Sequence, residues 1–205
     1  MASIWRKVSE IRFPRLCFKL RMLWSELRRE PLDVRLRLFF NFWAANKRGE
    51  QMERGHLRLT ETTIQKLGLS PDDRILDLAC GEGLGSRIMA ARLSGHRHRV
   101  LGLDISDEML RRARNKSSHL QEVDFVCGSA EYIPCQNGVF TKVLSVEAFY
   151  YFEHQERVLT ERRECRTLRP FTTDVGQNIS CKFKIELLAA FIFRHHSPSF
   201  TRAGH

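Results

Sequence analysis

Two carboxylates and a set of glycines stand at spacings that suit the binding of a sugar-containing ligand. Asp77 lies inside an apolar run, and Asp104 ends the next apolar run, 23 residues beyond the first glycine. Three glycines follow Asp77 on alternate positions: Gly81, Gly83 and Gly85. Glycine lets the backbone approach a ligand where a Cβ would collide. A carboxylate at this distance can accept hydrogen bonds from both hydroxyls of a ribose.

The elements that must position these residues are a buried strand, a tight turn and a helix that begins at the turn. Several nucleotide-binding families share this arrangement, so the spacing has to discriminate between them. A dinucleotide fingerprint needs Gly or Ala where Ser86 stands, and a P-loop needs a Lys after its last glycine, where Ser86 and Arg87 follow Gly85. What remains is an acid followed by G-x-G-x-G; the alternative is a glycine turn without a ligand.

The pattern resembles the class I S-adenosylmethionine (SAM)-dependent methyltransferases, in particular their type 11, small-molecule branch. The resemblance implies an α/β fold with a doubly wound, mostly parallel, Rossmann-like sheet and SAM as the cofactor. An acid in the first strand suits the cationic methionine end of SAM. The implied cofactor-binding residues lie at strand ends and in the turn: Asp77, Ala79, Gly81, Gly83, Gly85, Asp104, Ile105, Ser129, Ala130 and Val146. Ser129 replaces the family's usual Asp, so we expect weaker binding of the adenine.

The chain divides into three predicted parts. Residues 1–58 form a basic, amphipathic helical cap or lid, residues 59–170 form the SAM-binding core, and residues 171–205 form an atypical, partly disordered tail. The first 58 residues carry 14 Lys and Arg against 6 Asp and Glu. Three interpretations of this start stay open: a cap whose apolar stripe is core, a peripheral membrane contact through residues 1–30, or an organelle transit peptide.

Between the cap and the core, residues 51–56 suit a lid segment, in which His56 is more simply a solvated loop residue. Thr60 is a plausible N-cap of a helix over residues 61–67. No catalytic residue is assigned, because methyl transfer from SAM requires no dedicated nucleophile. Only an acceptor that must lose a proton needs a base, for which His56, Glu147 and Tyr150 are candidates.

The resemblance ends near Pro170, where the two glycines that normally follow in the family are missing. We therefore expect a chain altered or truncated near residue 170, without the last strands of the family's sheet. Two functions follow as hypotheses. The first is methyl transfer to a small-molecule acceptor; the alternative is an inactive remnant or a regulatory SAM-binding module.

Composition excludes other classes of function. With 42% hydrophobic and 28% charged residues, the 205-residue chain has the composition of a globular domain. Its six cysteines contain no CxxC pair, so we expect no metal site. Free thiols indicate a reducing, cytoplasmic location; those of Cys80 and Cys127 are expected to be buried at strand ends. The surplus of positive charge lies in the N-terminal segment, far along the chain from the site, which does not favour a nucleic-acid partner.

Overall fold

The computed structural model describes residues 14–93, 95, 99–133 and 139–160. Three helices open the described chain: α1 (Pro14–Leu27), α2 (Leu32–Ala45) and α3 (Arg48–Leu67). Strands and helices then alternate: β1 (Ile75–Leu78), α4 (Leu84–Arg92), β2 (Val100–Asp104), α5 (Asp107–Lys116), β3 (Val123–Cys127), β4 (Lys142–Leu144), a short 3-10 helix (Phe149–Tyr151) and α6 (Gln155–Thr160). In this described part of the chain, no helix combines the length and apolar character needed to cross a membrane.

The four described strands form one parallel sheet in the order β3-β2-β1-β4. Asp77 of β1 stands opposite Gly102 of β2 and Leu144 of β4, and Asp104 of β2 stands opposite Cys127 of β3. The chain moves outward from β1 through β2 to β3 and then returns to the other side of β1. This reversal confirms the predicted doubly wound, Rossmann-like α/β fold with helices before it.

Successive residues of β1 belong to cores on opposite faces of the sheet. Ile75 packs with Ile64 of α3 and Met89 of α4, whereas Leu76 packs on the other face with Leu103. All four residues of β1 are therefore buried. A strand covered on both faces must be apolar throughout, which is why Asp77 stands out as the one charged residue inside it.

Helix α3 differs from the sequence prediction at its start. It runs unbroken from Arg48, so Thr60 is buried inside the helix, and its assignment as an N-cap is wrong. Gly55 does not break the helix, since a glycine inside a helix costs only about 1 kcal/mol. The segment 51–56 is thus helical, and the predicted boundary between residues 58 and 59 falls within α3. Gly68 ends the helix in the left-handed conformation (φ 61°).

The edges of the sheet and the ends of the chain complete the comparison with the sequence. Strand β4 is short, Lys142–Leu144, and just before it Thr141 Oγ1 donates a hydrogen bond to Asp73 Oδ1, 2.7 Å away. Cys127 is exposed rather than buried, since it lies on the edge strand β3 with its Sγ 2.8 Å from Asp107 Oδ1. The predicted tail at 171–205 and the first 13 residues lie outside the described part of the chain.

The first two helices pack on each other and on the core. Phe18 of α1 stacks on Phe42 of α2, with ring centroids 3.9 Å apart. Asn41 Oδ1 of α2 accepts hydrogen bonds from Ser106 Oγ (2.6 Å) and from the backbone N–H of Glu108 (3.2 Å) at the start of α5. These contacts confirm the predicted helical cap. The apolar stripe of α1, however, is not core: its leucines are 53–71% exposed, because the opposite face of α1 packs on α2.

Candidate functional site

A cleft opens at the carboxyl ends of β1 and β4, where the strand order reverses. Ligands of doubly wound sheets bind at this position. The cleft holds about 1170 Å³ of space between its walls, with open solvent at its mouth included. Nine of the ten predicted cofactor-binding residues line it: Asp77, Ala79, Gly81, Gly85, Asp104, Ile105, Ser129, Ala130 and Val146. Gly83 does not belong to the lining.

Asp77 is a buried carboxylate on the wall of this cleft. Its side chain accepts a hydrogen bond from Ser86 Oγ, 2.6 Å away, in the first turns of α4. Burial raises the pKa of Asp77 to about 7, and the hydrogen bonds from Ser86 oppose that rise. Among the described residues, no Lys, Arg or His side chain forms an ion pair with it. A buried carboxylate without a counter-charge strongly favours a cationic ligand.

The turn after β1 brings the backbone close to Asp77. Ala79 and Gly81 have left-handed φ angles of 55° and 56°. At Gly85 an added Cβ would lie 3.0 Å from Asp77 Oδ2 and 2.9 Å from Leu144 Cδ2, so only glycine lets α4 approach the strand here. Gly83 (φ 82°) instead faces the core, where a Cβ would lie 3.0 Å from Phe125 Cζ. Its glycine is explained by packing of the turn rather than by contact with a ligand.

Asp104 is the second buried carboxylate of the cleft. Its Oδ2 accepts a hydrogen bond from the backbone N–H of Gly81, and its Oδ1 accepts one from the N–H of Ser106, both at 2.8 Å. The two bonds fix the plane of the carboxylate and tie the end of β2 to the glycine turn. Burial still raises the pKa of Asp104 above its usual value. The backbone N–H of Ile105 also acts on this carboxylate, and, because a carboxylate has about four acceptor positions, it can still accept from a ligand's hydroxyl.

Side chains beyond the two carboxylates complete this half of the cleft. Ile105 and Ala130 supply apolar walls, and Ser129 lies between Gly128 and Ala130 on the loop after β3. Ser129 Oγ accepts a weak hydrogen bond from the N–H of Glu131 (3.3 Å), so its own O–H can donate elsewhere. Apolar walls with one hydroxyl suit a flat, heteroaromatic group better than a phosphate.

Most of the cleft lies in a part of the chain that resembles known proteins. Residues 75–170 match a family model described as a methyltransferase domain. This part of the chain is therefore similar to methyltransferase domains. The phthiotriol/phenolphthiotriol dimycocerosates methyltransferase of Mycobacterium leprae is 32% identical over 121 residues, which are 59% of this chain and 43% of that protein. A namesake from Mycobacterium ulcerans is 29% identical over 147 residues, 72% of this chain and 48% of that protein. The chain thus spans less than half the length of these relatives.

Solved structures agree with the methyltransferase fold. A complex between the Haloferax volcanii Trm112 methyltransferase activator and a candidate methyltransferase matches with 28% identity and a TM-score of 0.56, over 62% of this chain and 54% of that one. A SAM-dependent methyltransferase from Aquifex aeolicus matches with 18% identity and a TM-score of 0.51, over 58% and 65%. The second likeness shows the fold alone.

The other half of the cleft is built by the loop after β4 and by the cap. Glu147 has a left-handed φ of 55° directly after the strand end, a strained conformation that is often found at functional sites. Tyr151 and Phe152 follow on the same wall. Phe40 of α2 contacts Tyr151 edge to face, with ring centroids 5.2 Å apart, so the cap and the core together form an apolar wall.

The three candidate bases differ in whether they line the cleft. Glu147 and His56 line the cleft, and His56 is on α3 rather than on a solvated loop, which corrects that expectation. Tyr150 is 53% exposed and is not part of the lining. Burial of its hydroxyl also raises the pKa of Tyr150 above its usual value, so it is a poor base. Two candidates therefore remain.

Several lining residues were not identified from the sequence. Leu32, Leu36 and Phe40 reach the cleft from α2, and Met52 and Glu53 reach it from α3. Helical spacing of apolar residues predicted that α2 is amphipathic. No local signal shows that this face lies against a cleft formed by residues 40 to 110 positions later, since that depends on how the cap docks.

A partly buried ionic network holds α3 against the glycine turn. Glu53 of α3 contacts Arg87 of α4 and Lys116 of α5, each at 2.9 Å. Lys116 Nζ also lies 2.5 Å from Glu82 Oε2, and the side chain of Glu82, inside the turn, has no exposed surface. Gly49 lies over Glu82, where a Cβ would be 2.0 Å from its Oε1. The network links the cap to the turn that carries Gly81.

Proposed function

We propose that this chain binds SAM in the cleft and transfers its methyl group to a small, lipid-like acceptor. The observation that carries the proposal is the pair of buried carboxylates, Asp77 and Asp104, on opposite sides of the glycine turn and facing one cleft. Neither carboxylate forms an ion pair among the described residues. Such a pair suits a ligand with a cationic group at one end and sugar hydroxyls further along.

The residues of the cleft fit SAM group by group. When ionised, Asp77 would attract the cationic methionine part, since no cation among the described residues pairs with it. Asp104 would accept from the ribose hydroxyls, held in plane by Gly81 and Ser106. Ile105 and Ala130 would enclose the adenine, and the Ser129 hydroxyl would bond it in place of the family's aspartate, more weakly than a charged group.

The protein's part in the reaction is positioning and exclusion of water. When bound, SAM supplies a methyl group on a positively charged sulfur, which an acceptor atom can attack in line. The chain then has to hold the acceptor in that line, and the wall made by Phe40, Tyr151 and Phe152 can do so while keeping water out. Glu147 or His56 would take up a proton only if the acceptor must lose one.

The apolar wall supports a lipid-like acceptor. The relatives from Mycobacterium are named for methylation of phthiotriol and phenolphthiotriol dimycocerosates. In this chain, Leu32 and Leu36 of the cap add further apolar surface to the cleft. We also propose a cytoplasmic location, which the free thiols of Cys80 and Cys127 support. In the described residues there is no cluster of side chains suited to a metal ion.

Calorimetric titration of the full chain with SAM tests cofactor binding. We expect one site per chain and a loss of about 1–3 kcal/mol of binding free energy in Asp104→Ala, because a hydrogen-bond acceptor for the ribose is removed. Asp72→Ala, at an exposed side chain outside the cleft, is the control. Circular dichroism of each variant checks that it is folded. No binding of SAM to the folded wild-type chain would refute the proposal.

A second function, SAM binding without turnover, is separated by an activity measurement. Transfer of radiolabelled methyl groups from SAM into a lipid extract should give a labelled product with the wild-type chain. Binding without any labelled product, over acceptors of several apolar classes, would favour the regulatory module instead.

A further inference from the structure

Helix α1 presents an apolar stripe to its surroundings. Leu16, Leu20, Leu23 and Leu27 recur at helical spacing and are 54%, 53%, 53% and 71% exposed, and Trp24 beside them is 42% exposed. These five are a majority of the nine large hydrophobic side chains that are exposed in the described part of the chain. Single exposed leucines are ordinary, but a contiguous stripe along one helix marks a surface that binds something.

Basic side chains border the stripe on both sides. Around the helix axis, Arg15 and Lys19 flank it on one side, and both are exposed. Arg28 flanks it on the other side, where its guanidinium carbon lies 4.6 Å from the centre of the Trp24 ring. Glu26 is the one acid near the stripe, and it is paired with Arg35 of α2 at 2.9 Å. An apolar stripe with cationic borders is the pattern of a helix that lies in the surface of an anionic bilayer.

The opposite face of α1 is already used, which fixes the orientation of the stripe. Phe18 stacks on Phe42 of α2, and Ser25 is fully buried with its Oγ 2.6 Å from Glu30 Oε2. Arg21 Nη1 also reaches that carboxylate, at 3.1 Å, so α1 is fastened to the start of α2. The stripe therefore cannot rotate inward without breaking these contacts.

We propose that this face of α1 docks on an anionic lipid surface. Leucines and Trp24 enter the boundary between headgroups and acyl chains, while Arg15, Lys19 and Arg28 reach the phosphates by extending along the surface. The docked helix leads directly into the cleft, since the stripe ends at Leu27 and the first cleft-lining residue is Leu32. Resting on the proposed function, the inference adds that the apolar acceptor enters the cleft from the membrane.

Flotation of the full chain with lipid vesicles tests the inference. Vesicles of equal parts phosphatidylcholine and phosphatidylglycerol are compared with vesicles of phosphatidylcholine alone. The double variant Leu20→Gln, Leu23→Gln removes two side chains of the stripe. Because apolar surface that would enter the bilayer is lost, the bound fraction should fall at least about tenfold. Leu57→Gln, which changes an exposed leucine of α3 outside the cleft, is the matched control and should bind as the wild type does.

A fluorescence titration reports which helix enters the bilayer. Binding to the mixed vesicles should shift tryptophan emission to shorter wavelength. The chain has three tryptophans, and Trp24→Phe should reduce that shift more than Trp5→Phe or Trp43→Phe does. Added salt should weaken binding, since the cations act on phosphates. Calorimetry with SAM on the same variants should give unchanged affinity, which separates this test from that of the proposed function.

Three outcomes would overturn the inference. The first is absence of the wild-type chain from the vesicle fraction. The second is equal binding of the wild type and the double variant. The third is a wild-type chain that sediments as a dimer and becomes monomeric in the double variant, which would show that a second copy covers the stripe. Loss of SAM binding with intact vesicle binding would instead count against the proposed function alone.

Discussion

Replacing Asp77 by Asn should stabilise the protein while weakening its ligand. Burial raises the pKa of Asp77 from 3.8 to about 7. Each tenfold change in the proton dissociation constant corresponds to about 1.4 kcal/mol, so ionisation inside the fold costs about 4 kcal/mol more than in water. The amide has almost the same shape, carries no charge and can still accept from Ser86. Above about pH 7 we therefore expect the variant to be more stable by up to about 4 kcal/mol.

The stability difference between the two proteins should depend on pH. Between about pH 4 and pH 7 the folded state keeps a proton on Asp77 that the unfolded state has lost, so this group's contribution lowers the free energy of unfolding as pH rises. The difference between variant and wild type should be near zero at about pH 4 and largest above about pH 7.

Urea unfolding of both proteins without ligand, at a series of pH values, measures this difference. Asp72→Asn, an exposed acid, serves as the control for the substitution itself. A variant that is less stable than the wild type at every pH, or a difference that does not change with pH, would refute the reasoning about Asp77. The same titration in the presence of SAM should reverse the order, since only the carboxylate attracts the cationic ligand.

Three further predictions follow from the same contacts. SAM affinity should rise as pH increases through about 7, because Asp77 attracts the cation only when ionised; calorimetry at several pH values checks this, and a flat profile would contradict it. Gly102→Ala should lower the free energy of unfolding by about 1–3 kcal/mol, since the added Cβ would lie 2.6 Å from Phe125 Cδ1. Gly55→Ala should raise the free energy of unfolding by about 0.5–1 kcal/mol, because the added Cβ would meet open space. Urea unfolding midpoints of the two variants check this pair. Lys116→Met should cost about 1–3 kcal/mol, because the buried Glu82 carboxylate loses its nearest cation and keeps only Arg112 Nε at 3.9 Å. Exposed Arg111→Met should cost less than about 1 kcal/mol, and equal losses would show that the network contributes little.

The core of the fold was predictable because its signals are local. An apolar run, glycines on alternate positions and a second run ending in Asp104 define β1, the turn and β2 without reference to the rest of the chain. The parallel order then follows from the alternation of strands and helices. For the same reason, nine predicted cofactor-binding residues line one cleft: the carboxyl ends of parallel strands meet at one edge.

Features that depend on docking were not predictable. Threonine is a residue type that often begins a helix, which suggested a start at Thr60. In the structure α3 packs on the sheet and already begins at Arg48. His56 thereby enters the cleft. The apolar spacing of α1 and α2 is alike in sequence, yet Phe40 of α2 reaches the cleft while Leu27 of α1 is 71% exposed. Asn41 and Arg37 of α2 hold this helix against Ser106 and Ile105, just before α5. These contacts join residues more than 60 positions apart, so local sequence does not show which of the two apolar stripes faces inward.

Binding of SAM between the two buried carboxylates is tested most directly by a crystal structure of the full chain grown with the demethylated product, S-adenosylhomocysteine. We expect both ribose hydroxyls within hydrogen-bond distance of Asp104 and the methionine ammonium beside Asp77. Density for the nucleoside elsewhere on the protein, or a cleft filled by side chains of residues 161–205, would contradict the assignment.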